Sequence, residues 1–342
     1  MTDAALLAAA RAGDEDAYVS LVKPHRAALL AHCYRMLGSF HDAEDAQQET
    51  LLRAWRALST FEGRSSLRSW LYRIATNACL RMLERRPSAL VLPDGFGPPA
   101  AHGEPPAEPL LDVPWLEPFP DDALGEASGG ALPDARYEQR ESVELAFIAA
   151  LQHLPARQRA VLIMRDVLGF SGSEVAATLE TTTTSVHSAL QRAHRTVDER
   201  LPRRSQQATL RALDDADLRR IVDGYVDAWE RADVDAVVAM LSDGATFAMP
   251  PIPTWYAGRD AIGTFLRNGP LAPWQRWRVV PAYANGQLAF GTYEWDLGAG
   301  RLVPHAIQVV AIDGASIGSI VAFRSPMALD RSGLPAMLPA EA

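Results

Sequence analysis

A chain of 342 residues, 48% apolar and 22% charged, has the length of two or three domains and enough apolar side chains for a core in each. Two cysteines, Cys33 and Cys79, exclude a disulfide framework and a zinc-finger spacing, and no run approaches the roughly 20 apolar residues of a membrane span. The net charge of −9 argues against a nucleic-acid partner only if it is evenly spread, and it is not: residues 87–135 hold nine acids and no base, whereas residues 1–86 (12 basic, 10 acidic) and 136–204 (10 basic, 8 acidic) are each weakly basic.

The first apolar run, Ala4–Ala10, is short, follows Asp3 and leads into the acids Asp14–Asp16. It is unlike a secretory signal, so a cytoplasmic location is expected. Residues 1–86 read as helices throughout, over Ala5–Ala12 and Ala17–Leu37, with a break at Gly38-Ser39. The next helix, DAEDAQQETLLRAW from Asp42, places Asp42, Glu44, Asp45 and Glu49 in its first turns, where the helix dipole favours acids. After it, FEGRSSLRSWLYRIATNACLRMLERR (Phe61–Arg86) mixes aromatics and arginines on one helical repeat, a pattern that suggests contact with opened DNA. Leu67, Trp70, Leu71, Ile74 and Ala78 share one face, which puts Trp70 in the core. Arg73, Asn77 and Arg81 form a separate polar stripe suited to phosphates and base edges of a single strand. The loop Phe61–Ser66, with Gly63, is the place for a base-capture pocket; the bland reading is a plain connection between helices.

Residues 87–135 contain eleven prolines and cannot form a packed core, so a disordered or extended linker is expected. Within it, VPWLEPFPD (Val113–Asp121) is either an island that docks on a partner or part of an inert spacer. Helical spacing returns at Val143, Phe147, Leu151 and Leu154, and again from Pro155 to Leu168. SGSEVAATLETTTTSVHSALQRAHRTV then holds two helix starts one helix-turn-helix unit apart. Ser171 and Glu174 form a capping box, and Thr182 fits as the second N-cap. Val186, Ala189, Leu190 and Ala193 point inward on the second helix. Thr183, Thr184, Ser185, His187, Ser188, Gln191, Arg192 and Arg195 project outward. Short polar groups there can enter a major groove with arginines behind them; an αα-hairpin with a solvated face is the bland reading. Glu180 stands where a tight inter-helix turn prefers Gly.

From Asp214 the pattern changes. Leu218, Ile221, Val222, Tyr225, Val226 and Trp229 share one helical face, and a second helix is expected over Val234–Leu241. Strands are expected at Thr246–Met249, Arg276–Tyr283, Gln287–Asp296, Leu302–Ile312 and Ser316–Phe323, interrupted by a helix at Arg259–Arg267. Asn285-Gly286 and Asp313-Gly314 mark hairpins. This order describes an α+β domain with a curved antiparallel sheet.

Together, DAEDAQQETLLRAW, the Phe61–Arg86 segment and PARQRAVLIMRDVLGFSGSEVAATL resemble a sigma factor of bacterial RNA polymerase, in the extracytoplasmic-function group of the sigma-70 family. FAMPPIPTWYAGRDAIGTFL and HAIQVV are similar to a SnoaL-like polyketide-cyclase domain. The resemblance spans nearly all of the chain except the linker, where it is confined to VPWLEPFPD. It implies a multidomain architecture: two all-α sigma domains, the second a helix-turn-helix, joined by the Pro-rich acidic linker, and a C-terminal α+β cone-shaped domain. Residues 1–86 would be region 2, 87–135 the linker, 136–204 region 4, and 205–342 the SnoaL-like regulatory domain with a short tail from Ser332 that is similar to a C-terminal element of the family.

The implied function is binding of core RNA polymerase and promoter-specific initiation, without catalysis, metal or cofactor. Asp42, Asp45, Gln48, Glu49 and Leu52 would meet the clamp helices of the beta-prime subunit, and region 4 the beta flap. Phe61, Arg64, Ser65, Ser66, Arg68, Arg73, Asn77 and Arg81 would meet the −10 element, and the outward residues of the second helix-turn-helix helix the −35 element. The linker acids would mimic nucleic-acid charge in polymerase channels. Trp255, Tyr256, Tyr283, Tyr293, Trp295, His305 and Gln308 are candidates to line a C-terminal pocket for an unknown small molecule, with no evident acid/base pair. The C-terminal domain would regulate the sigma modules in cis. The other reading is a SnoaL-like enzyme or small-molecule-binding protein with a helix-turn-helix attached; the polymerase-binding and melting segments favour the first.

Overall fold

The structure, a computed structural model, describes residues 2–63, 65–85, 90–124, 141–202 and 204–339, the side chains of 326 and 327 excepted. It divides into two compact units: residues 1–89 with 123–201, and residues 90–122 with 202–342. Among the described residues no helix is long and apolar enough to cross a membrane.

The described part of the first unit is helical: α1 (Asp3–Arg11), α2 (Glu15–Val22), α3 (Arg26–Leu37), α4 (Phe40–Ala57), α5 (Leu67–Arg85), α6 (Leu145–Gln152), α7 (Ala156–Leu162) with a π turn at Ile163–Val167, α8 (Gly172–Thr178) and α9 (Thr183–Asp198). Local chemistry sets the boundaries. Gly38 closes α3 in the left-handed conformation (φ 72°), and the Ser39 hydroxyl accepts from Asp42 N to open α4. Around α3 the buried side chains are both apolar and polar. His32 Nε2 lies 2.9 Å from Thr76 Oγ1 on α5, and burial with the nearby Arg35 charge pushes its pKa down to about 3, so it is neutral. Arg35 donates to Ser142, and Arg159 of α7 donates to the Met36 carbonyl at the end of α3. Two buried guanidinium groups thereby join the N-terminal helices to α6 and α7.

The second unit carries α10 (Gln206–Ala212), α11 (Asp215–Glu230), α12 (Val234–Met240), α13 (Arg259–Asn268) and α14 (Pro326–Arg331). Its six strands are β1 (Leu241–Met249), β2 (Ile252–Ala257), β3 (Trp277–Ala284), β4 (Gln287–Asp296), β5 (Arg301–Asp313) and β6 (Ser316–Phe323), in the order β2-β1-β6-β5-β4-β3. The amphipathic face of α11 packs Ile221, Tyr225 and Trp229 into the core with Phe247, Phe265, Trp277 and Phe290. The sheet is mixed rather than antiparallel, because β1 runs parallel to β6. β2 is the strand missing from the sequence reading. Pro251 and Pro253 obscure its periodicity, but it lies on the edge of the sheet, where a residue without an N–H leaves no ladder bond unmade.

The acidic, proline-rich segment makes no core of its own, yet it is neither an inert spacer nor partnerless. Residues 90–122 belong to the C-terminal unit as an extended strap. Ala100 N donates to Trp255 O (2.8 Å), Leu110 N to Pro251 O (2.9 Å) and Ala107 N to Thr254 Oγ1 (2.9 Å), while Trp255 Nε1 donates to Gly97 O and Tyr256 OH to Glu104 O. At the far end Phe119 and Asn285 exchange hydrogen bonds, Gly286 N donates to Asp121 Oδ1, and Leu116 and Phe119 are fully buried. The VPWLEPFPD island therefore docks within its own chain, at the β3–β4 hairpin. The tail also packs on this unit: Leu334 lies so close to Gly291 that a Cβ there would meet it at 2.5 Å, and Tyr293 OH donates to Pro335 O.

Candidate functional site

α9 is an amphipathic helix with one buried and one polar face. Its N-cap Thr182 accepts from Ser185 N, and α8 opens with a complete Ser171–Glu174 capping box. Val186, Ala193 and Val197 are buried, and Ala189 and Leu190 half-buried. Thr183, Thr184, Ser185, His187, Gln191, Arg192 and Arg195 are exposed, with Ser188 half-buried. The expected outward stripe is therefore continuous. Between the helices Glu180 has φ 50°, and Thr181 N closes the α8 terminus on Ala176 O. A left-handed residue with a Cβ carries a conformational penalty that Gly does not. Glu180→Gly is expected to raise the stability of the first unit by about 0.5–1 kcal/mol in urea unfolding.

α5 and the loop before it divide the expected single-strand residues. Arg73 is exposed, and Asn77 and Arg81 are half-buried along one side of α5; Ser65, Ser66 and Arg68 are exposed. Trp70 is in the core as its spacing required. Phe61 departs from the expectation: its ring is buried against Trp70 at 4.8 Å, with the Arg11 guanidinium above it, so it supports the loop instead of presenting a stacking face. Arg64 lies outside the described residues. On α4, Asp45, Gln48 and Leu52 are exposed and Asp42 and Glu49 half-buried, Glu49 being paired with Arg53. Leu52 is a large apolar side chain left 44% exposed amid polar neighbours, which suits a protein contact.

The C-terminal candidates have separate partners. Trp255 and Tyr256 lie on β2 and bond the strap. Tyr293 is buried under the tail, and Gln308 is buried with Tyr225 OH donating to it at 2.5 Å. Tyr283 is exposed, and Trp295 carries the Arg276 guanidinium on its ring. His305 instead meets Glu294, with Nδ1 3.0 Å from Oε2, an acid/base pair that the sequence reading lacked. Counting outward from the β4–β5 turn places Glu294 opposite Val303, close to His305, so hairpin register was the available signal. Among the described residues no three His, Cys, Asp or Glu side chains come together to hold a metal ion.

The Sigma-70 region 2 family matches residues 21–88, the Sigma-70, region 4 family residues 144–197, and the SnoaL-like domain family residues 222–320. ECF RNA polymerase sigma factor SigG of Mycobacterium tuberculosis is 42% identical over 330 residues, covering 95% of this chain and 85% of that protein. The chain belongs to the ECF RNA polymerase sigma factors. The ECF RNA polymerase sigma-E factor of Escherichia coli is 28% identical over 207 residues, 59% of this chain and 95% of that one. The crystal structure of the Mycobacterium tuberculosis extracytoplasmic function sigma factor SigJ shares the fold, with TM-score 0.59 at 20% identity over 93% of this chain and 100% of that chain.

In this sigma factor regions 2 and 4 form one body. Arg68 on α5 donates to Leu168 O at 2.9 Å, and its guanidinium lies over the rings of Tyr72 and Phe170, 5.1 and 4.6 Å from their centroids. Ser69 Oγ donates to Glu174 Oε1, the acid of the α8 capping box. Arg68, expected to meet a single strand, and its neighbour Ser69 are thus engaged by the segment that opens the helix-turn-helix. Sequence reasoning had no means of finding this, since the partners are about 100 residues apart.

Proposed function

We propose that the sigma factor, a cytoplasmic protein, meets the beta-prime clamp helices through Asp42, Asp45, Gln48, Glu49 and Leu52 of α4 and the beta flap through region 4. The −10 element is taken by Ser65, Ser66, Arg68, Arg73, Asn77 and Arg81, with Phe61 as the loop's buried support, and the −35 element by the outward stripe of α9. The chain divides into region 2 (1–86), a linker (87–135), region 4 (136–204) and the C-terminal domain (205–342), with residues 90–122 of the linker acting as part of the last. That domain acts non-enzymatically, as a regulator in cis. The observation that carries this reading is the strap: the chain joining regions 2 and 4 is hydrogen-bonded and buried on the C-terminal domain. Two DNA-reading modules must separate to span a promoter, and a linker held on a third domain limits that separation.

Run-off transcription with core polymerase and two full-length proteins tests it: the native chain, and a variant with Leu116 and Phe119 both replaced by Asp to free the strap. The freed strap should raise transcript yield severalfold. Equal yields, with release confirmed by proteolysis of the strap, would remove regulation in cis from the proposal. Arg195→Ala should weaken promoter binding of the holoenzyme evenly across promoter sequences and lower the slope of log K against log salt by about 1, as expected when one phosphate contact is lost. An unchanged slope would place Arg195 off the DNA.

A further inference from the structure

The outward stripe of α9 is not uniform in what its side chains can tell apart. Thr183, Thr184 and Ser188 carry hydroxyls, which give or take a hydrogen bond equally well, and Arg192 and Arg195 only donate. Ser185 is spent locally: its Oγ accepts from the Thr182 hydroxyl at 2.9 Å, and its N–H donates to Thr182 Oγ1 at 3.1 Å. Within the stripe, Gln191 is the residue whose side chain holds a donor and an acceptor side by side in one rigid plane.

That plane is not free to turn. His187 stands one helical turn before Gln191, both side chains are exposed, and Gln191 Nε2 lies 3.3 Å from His187 Nε2. An amide nitrogen has hydrogens only to give, so the imidazole nitrogen is the acceptor and the ring proton sits on Nδ1. The helix beneath is fixed in rotation by the buried Val186, Ala193 and Val197, and His194 is tied back to Asp166 Oδ2 at 2.5 Å. Arg195 continues the row of His187 and Gln191 one turn further on, where a cation suits a phosphate.

We propose that Gln191 reads an adenine in the −35 element and that His187 is the positioning residue that holds the amide for it. This rests on the reading of α9 as the −35 helix. With one amide hydrogen given to His187, the other lies beside Oε1, and the two face the DNA together. Adenine matches that edge in the major groove, its N6–H donating to Oε1 and its N7 accepting from Nε2. Guanine presents two acceptors, O6 and N7, and sets O6 against Oε1. A free glutamine relieves the clash by turning its amide over. Here the turn would also bring Oε1 against the lone pair of His187 Nε2, so the discrimination is kept.

The test uses holoenzyme assembled from the full-length chain and core RNA polymerase, and a promoter library randomised in the −35 element, selected for binding and sequenced. The native chain should select adenine over guanine about tenfold at one position, the discrimination of a single bidentate pair. Gln191→Ala should flatten that position and leave the others as they were. Gln191→Glu should move it to cytosine, whose N4 hydrogen a carboxylate accepts. His187→Ala should shrink the ratio to about threefold, and His187→Gln, which restores an acceptor, should recover it. Both side chains are exposed, so the four variants should keep the native melting temperature. An adenine preference unchanged in Gln191→Ala, or guanine selected by the native chain at the position that Gln191 controls, would overturn the assignment while leaving α9 on the −35 element. An unchanged ratio in His187→Ala would overturn the positioning role. If no −35 position responded to substitution of Gln191, Arg192 or Arg195, the −35 reading itself would fall, and the adenine contact with it.

Discussion

Phe119→Ala should destabilise the C-terminal unit by about 3 kcal/mol, the lower end of what removing a fully buried phenylalanine costs. Composition alone would assign this residue to a proline-rich spacer, where truncation costs almost nothing. In the fold its ring is 0% exposed, its N–H donates to Asn285 Oδ1, and its carbonyl accepts from Asn285 N. The backbone bonds survive truncation, so the loss reports the ring and the cavity it leaves. Leu111→Ala is the control: Leu111 is 83% exposed in the same segment and should lie within about 0.5 kcal/mol of the native chain. Urea unfolding followed by tryptophan fluorescence checks both. Two neutral substitutions would mean that the strap is not seated in solution.

Arg159→Ala should cost the first unit about 3 kcal/mol and lower its melting temperature by roughly 8 °C. The guanidinium is buried and donates to Gln152 Oε1 and to the carbonyls of Met36, Gln152 and Leu154. Truncation leaves those acceptors without their donor in a place that excludes water, the expensive way to lose a hydrogen bond. Arg192→Ala supplies the contrast. Arg192 is exposed on α9 and should leave the melting temperature unchanged while weakening promoter binding. Calorimetry and promoter-binding titrations with the holoenzyme separate the two arginines, and a comparable melting loss for both would contradict the assignment.

These two residues mark where reading the chain succeeds and where it stops. The Ser171–Glu174 capping box, the Thr182 cap and the inward Val186 and Ala193 were all legible, because their partners lie within a few positions. Trp70 could be placed in the core by spacing alone. At Glu180 turn chemistry favours Gly, and the residue does adopt a left-handed backbone. By contrast β2 was hidden, since its prolines mimic a loop until an edge position makes them harmless. The parallel pairing of β1 with β6 joins strands some 70 residues apart, beyond any hairpin signal. The partners of the C-terminal candidates were illegible for the same reason. Alternation along a strand says which residues share a face, but not that Tyr293 lies under the tail, that Gln308 is taken by Tyr225, or that a bulge turns His305 to Glu294.

Helix boundaries, the outward polar stripe of α9 and the exposed acids of α4 follow from forces acting within one or two helical turns: capping, dipole compensation and burial of a periodic face. They hold in any arrangement of the domains. The seat of the acidic strap, the joining of regions 2 and 4 through Arg35, Arg68 and Arg159, and the Glu294–His305 pair depend on groups distant in sequence. A buried donor takes whichever acceptor the fold brings to it, and an extended proline-rich chain has no periodicity of its own. Local pattern therefore carried the exposed polar stripes of α9 and α4, and packing alone assigned the strap, the arginines and the histidine their partners.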